Sequence, residues 1–197
     1  MNKKAKYIQL TSEALIPLLG FFLWGWSLYF IILFYFIDMV VDEGIIHAKA
    51  NKIVKYNLKK EKKKSWLGYG IISAAVFIVS VTVIHFSLYF ICEGIEFKQE
   101  TMAFWEYKEL GIKQGYLLVP LVFFVGYQQY RMEFLMLARY RNTTLSNLWK
   151  RHISALAIVL GFAGFCTGLS QFIVLPEVVY VLGIVVFTIS YKLLTRS

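Results

Sequence analysis

Cysteine is nearly absent from this chain, and so is the usual share of charge. Cys92 and Cys166 are the only two thiols, too few for a disulfide framework, and both fall in or beside apolar runs, so neither suggests a metal site. Charged residues make up 17% of the 197 positions while 58% are hydrophobic and 18% aromatic, which excludes an ordinary soluble domain of this length. Acidic residues are the scarcer sign, 12 against 21 basic. A nucleophile elbow, a phosphate-cradling glycine loop and a zinc-protease motif are all missing. The sequence therefore predicts no catalytic residues, no enzyme activity and no cofactor.

What is present is long apolar stretches. A membrane crossing needs about 20 mainly apolar residues at a rise of about 1.5 Å each. Spans are expected at about 66–92, 116–138, 153–174 and 178–194. The region from Tyr7 to His47 is too long for one crossing and has no charged loop inside it. The basic residues decide how it threads. Lys49 to Lys64 holds eight lysines against Glu61, and Arg139, Arg141, Lys150 and Arg151 fill the next loop but one, so both segments read as cytoplasmic. The intervening Cys92 to Lys113 carries five glutamates against three lysines and reads as external. Lys3, Lys4 and Lys6 also ask to be inside. Two crossings before Lys49, about 7–24 and 28–47 with a turn at Gly25-Trp26-Ser27, meet that demand; a re-entrant segment from Tyr7 to Trp24 is the alternative. The N-terminal apolar run passes Phe36 without a small-x-small cleavage pattern and is expected to be retained. The expected fold class is all-α: a polytopic transmembrane helix bundle of about six spans, one domain over 1–197, both termini cytoplasmic, in a bacterial inner membrane.

Titratable residues inside such spans need an explanation. Counting at about 1.5 Å per residue sets Glu13 and Asp38 near mid-bilayer, Asp42 and Arg131 in the inner third, and His47 at the cytoplasmic interface. An ionised group at mid-bilayer costs at least about 2.5 to 3.5 kcal/mol, so Asp38 is expected to face protein or trapped water. Asp38 and Asp42 share a helix face, and Arg131 is the expected partner of both. That set is read either as a buried clasp between helices or, with Glu13, as a proton or cation relay. His85 and Tyr89, one turn apart near an outer end, read as interfacial hydrogen-bonding groups. His152 opens the fifth span on the opposite side from His85, and no metal site is legible.

Three further features have plainer readings. Lys59, Lys60, Lys62, Lys63 and Lys64 suit anionic lipid headgroups, at about 1 kcal/mol each, or a partner; nucleic acid is not expected. Gly161, Gly164 and Gly168 offer a small face for close helix packing. Met102, Phe104, Trp105 and Tyr107 among glutamates suggest a short amphipathic segment lying on the membrane or under a partner. Asn142-Thr143-Thr144 fits a glycosylation acceptor, but its predicted cytoplasmic side makes it inert.

The stretch IPLLGFFLWGWSLYFIILFYFIDM resembles a group of uncharacterised prokaryotic membrane proteins known as a domain of unknown function. The resemblance lies in a proline-bearing start, a Gly-Trp-Ser turn, and an aromatic-aromatic-x-acid element at Tyr35, Phe36 and Asp38. It spans about the first quarter of the chain, implies the two-helix hairpin, and carries no activity. The resulting expectation is a non-catalytic integral subunit or scaffold that packs against partner membrane proteins or itself in the lipid bilayer; the alternative is a small proton- or ion-coupled transporter or channel using Glu13, Asp38 and Arg131.

Overall fold

A computed structural model describes residues 15–57, 63–92, 94–109 and 112–195. Glu13 lies outside them, as do Lys59, Lys60 and Lys62; Lys63 and Lys64 begin a helix. Among the described residues the regular structure is helical apart from a two-residue antiparallel ladder, Lys108–Glu109 with Ile112–Lys113. In order the helices are α1 (15–23), α2 (Leu28–Tyr56), α3 (Lys63–Ile91), α4 (Phe97–Glu106), α5 (Gln114–Gln129), α6 (Leu145–Ser170) and α7 (Glu177–Thr195), with a π-helical segment Tyr130–Met136 and a 3-10 turn Arg139–Arg141 between α5 and α6.

Two of these helices are long and apolar enough to cross a membrane, Gly68–Ile91 and Leu145–Ser170, with mean hydropathies of 2.3 and 1.9. Only 22% and 17% of their most apolar windows are buried within the chain, so most of that surface faces outward. A shorter apolar helix covers Glu177–Ile189.

The turn between α1 and α2 falls at Gly25-Trp26-Ser27. Gly25 takes φ +64°, a backbone that residues with a Cβ adopt reluctantly. Ser27 caps α2, its Oγ accepting from the Phe30 amide at 3.1 Å. Trp26 folds back onto Gly20, where an added Cβ would collide with the indole.

Three boundaries differ from the sequence expectation. The second helix does not stop at His47 but continues to Tyr56. Likewise α6 starts at Leu145, ahead of the expected 153. The cause is common to both: Ile46, Ala50, Ile53 and Val54 repeat at helical spacing and bury against Phe134, Leu145, Leu148 and Trp149, a satellite core beyond the most apolar stretches. Charge density hid that periodicity. The expected span 116–138 is not one α-helix either, since it turns π-helical at Tyr130 and ends at Ala138 in a left-handed conformation, φ 50°.

α3 and α6 share the most extensive contact between helices. α3 carries buried serines at seven-residue spacing, Ser73, Ser80 and Ser87, of which Ser87 reaches α6. Small residues spaced by seven keep one seam against a neighbour and let backbones approach, with Ala155 and Ala163 buried on α6. Ser87 accepts from Thr167 Oγ1 at 2.6 Å across the same seam. The glycines expected to pack, Gly161, Gly164 and Gly168, instead meet open space where a Cβ would stand, and all three are exposed.

At the other end, the segment around Met102–Tyr107 is helical as α4 and is held by the chain itself. Phe104 is buried against Phe30, ring centroids 4.7 Å apart, and its carbonyl presses on Gly115. Met102 is exposed.

Candidate functional site

Two polar clusters sit along α2, one at its start and one just past its middle. At its start, Tyr29 donates to His85 Nε2 at 3.1 Å, because His85 Nδ1–H is already given to the Val81 carbonyl at 2.9 Å. The His85 ring stacks on Phe36, centroids 4.9 Å and planes 6° apart. Every polar atom of that imidazole is satisfied locally, as expected for a structural histidine. Nearby Ser27 Oγ donates to Glu100 at 2.6 Å, tying α4 to the start of α2.

The cluster past the middle is built differently. Glu43, one residue beyond Asp42, turns its carboxylate toward α3 and α6. His152 Nε2 donates to one oxygen at 2.6 Å, and His47 Nε2 at 3.1 Å and Ser73 Oγ at 2.7 Å both donate to the other. The Glu43 side chain is 13% exposed and that of His152 is 8% exposed. A carboxylate in such surroundings needs several donors, and three elements supply them. Each position follows from local sequence. His47 follows Glu43 by one helical turn, on the same face. Gly70 gives its ring room, since a Cβ there would stand 3.1 Å from His47 Cε1. Trp149, fully buried, sits edge-on to His47 with centroids 5.2 Å apart and holds the wall one turn before His152.

Two cavities flank this triad. A narrow apolar one of about 130 Å³ lies among α2, α3, α6 and α7 and is lined by Asp38, Asp42, Ser87, Cys166, Tyr180 and Thr188 among others. A polar chamber of about 470 Å³ is bounded by α2, the π-helical segment, the 3-10 turn and the start of α6. His152 and Asp42 belong to its wall, and Asp42 lines both spaces. Among the described residues no group of His, Cys, Asp or Glu is set to hold a metal ion.

The expected site residues thus divide. Asp38 and Asp42 are half-buried and line cavities inside the chain. Arg131 is exposed on the π-helical segment, not the position of a buried clasp. The reason is geometric: the wider π turn rotates the residues after Gln129 away from where a regular α-helix would set them. Glu43, His152 and Ser73 come together here although the sequence reading gave none of them a role in a site. Their signal was equal depth, because Glu43, His47 and His152 all fall at the predicted cytoplasmic end. Neither a family model nor a curated protein nor a solved structure matches this chain.

Proposed function

We propose that this chain is an integral membrane protein of six spans with both termini on the cytoplasmic side of a bacterial inner membrane, and that it acts as a small proton-coupled carrier with Glu43 and His152 as its proton-handling pair. The triad of Glu43, His47 and His152 beside a polar chamber carries the reading. Its chemistry is simple. Each imidazole directs its Nε2 at the carboxylate, which leaves Nδ1 as the ring atom open to proton exchange. His152 stands between the chamber and Glu43, so ligand occupancy of the chamber and protonation of the pair influence each other. Asp42 and Asp38 extend titratable groups from the chamber toward mid-membrane. No catalytic step is involved.

The membrane assignment is supported by the outward-facing apolar surface of α3 and α6, including Ile71, Ile78, Phe86 and Phe165. A length of about 43 Å for the 29-residue α2 exceeds the hydrocarbon core of about 30 Å, which is compatible with a crossing that leaves Glu43 and His47 toward the inner side.

In vesicles holding a pH-sensitive dye, an imposed potassium diffusion potential should drive proton entry faster through the wild-type chain than through protein-free vesicles. Glu43→Gln should return the rate to the protein-free level, whereas Arg131→Gln should leave it unchanged. A wild-type rate equal to that of empty vesicles overturns the carrier reading. The second reading, a non-catalytic scaffold binding other membrane proteins or itself, is favoured by the open glycine face of Gly161, Gly164 and Gly168, and stoichiometric co-purification of a partner with no proton flux would favour it.

A further inference from the structure

The polar chamber has a chemistry of its own. Its wall holds four cations, Lys49, Arg139, Lys150 and Arg151, against two carboxylates, Asp42 and Glu133, and Asn142 and Asn147 line it too. The cations come from three separate elements, α2, the 3-10 turn and α6. Such convergence is not what a solvated basic helix face produces, since a helix face would present its lysines outward in one row.

We propose that this chamber binds a phosphomonoester dianion, with Arg139 and Lys150 as its principal charge contacts. The excess of two positive charges matches a dianion, and a guanidinium fork beside an ammonium is the usual pair for phosphate oxygens. The volume, about 470 Å³, is larger than a phosphate group needs and leaves room for a small organic part. That part would meet Ile45, Leu148, Tyr130 and Phe134, the apolar side of the wall. Lys49 is already steered, its ammonium 5.8 Å from the centre of the Phe134 ring. Thr143 is not a donor here, because its hydroxyl is given to the Arg139 carbonyl at 2.9 Å, a bond that braces the turn carrying Arg139. The carboxylates have a counter-role. Asp42 and Glu133 repel a ligand with more than the two negative charges the cations balance, so the site favours one phosphate over a polyphosphate.

This inference rests on the preceding reading only for placing the chamber at the inner face, where phosphate esters and phosphate-bearing lipid headgroups are both within reach. The chain purified in dodecyl maltoside would be titrated calorimetrically with glycerol 3-phosphate, with short-chain phosphatidate, and with glycerol as control. The expected result is saturable binding of at least one phosphate compound, none of glycerol, and a loss of affinity of at least about tenfold in the double variant Arg139→Gln, Lys150→Gln. Both side chains are exposed, so the double variant should fold, which gel filtration and helical circular dichroism check. Binding of glycerol 3-phosphate assigns a soluble ester; binding of phosphatidate alone assigns a lipid headgroup. If neither binds, or if the double variant binds as tightly as wild type, the inference is wrong. Phosphate binding without proton flux removes the carrier reading and keeps the site, whereas flux sensitive to Glu43→Gln without phosphate binding does the reverse.

Discussion

Glu43 and His152 illustrate how a single missing donor changes a buried site. His152→Ala takes away the shortest of the three hydrogen bonds to the Glu43 carboxylate and leaves Ser73 and His47 on the other oxygen. Stranding a mostly buried acceptor costs about 1 to 3 kcal/mol. Thermal unfolding in detergent should therefore show a lower midpoint for His152→Ala, and His152→Gln should recover part of the loss if its amide reaches Glu43. An unchanged midpoint in His152→Ala would mean that the pair contributes nothing to stability. Half of this site was readable beforehand. His47 follows Glu43 by four residues, a pairing any helix presents, and both lie at the predicted wet end of the second span. His152 and Ser73 were not readable, because sequence distances of 109 and 30 residues carry no register until the helices pack. Arg131 failed for a related reason: depth was estimated from a straight α-helix, and the chain is π-helical there.

Among the elements, the serine heptad of α3 makes a prediction that separates size from polarity. Ser80 Oγ donates to the Val76 carbonyl one turn earlier at 2.8 Å, so its hydroxyl is satisfied within its own helix. Ser80→Ala removes both the hydroxyl and its need for a partner and should be close to neutral. Ser80→Leu forces added atoms into a fully buried position and should destabilise by about 1 to 3 kcal/mol. Parallel urea or thermal unfolding of the two variants checks the difference; equal costs would show that the position is not size-limited. The repeat of seven is present in the sequence, but seven-residue spacing of serines does not by itself say which neighbour the seam meets. Apolar length found the helices well, since α3, α6 and α7 begin and end near their expected limits apart from the early start of α6. It failed where burial against the chain's own satellite core extends a helix through charged sequence, as in the last nine residues of α2.

For the molecule as a whole, the proposed six-span arrangement puts the loop carrying α4 and the loop before α6 on opposite sides of the membrane. In a background lacking Cys92 and Cys166, Lys98→Cys and Arg141→Cys introduce thiols at exposed positions in these two places. A membrane-impermeant maleimide added to intact cells should label Lys98→Cys and spare Arg141→Cys, and permeabilisation should expose the latter. Labelling of both in intact cells would exclude the six-span arrangement. The hydropathy of a single chain suggests crossings, whereas sidedness comes from the basic bias, so this experiment tests the less local of the two arguments.

The hydroxyl of Ser27 is committed twice. Its oxygen receives the Phe30 amide while its proton goes to Glu100, which joins the beginning of α2 to α4. That double use narrows the alphabet tolerated at the position. Aspartate, ordinarily as good a helix cap as serine, would bring a second carboxylate against Glu100 and has no proton to give. Alanine would forfeit both bonds. Threonine keeps both, so a substitution scan across the usual capping residues should retain Ser and Thr at position 27 and discard Asp, unless Glu100 changes to glutamine in the same chain.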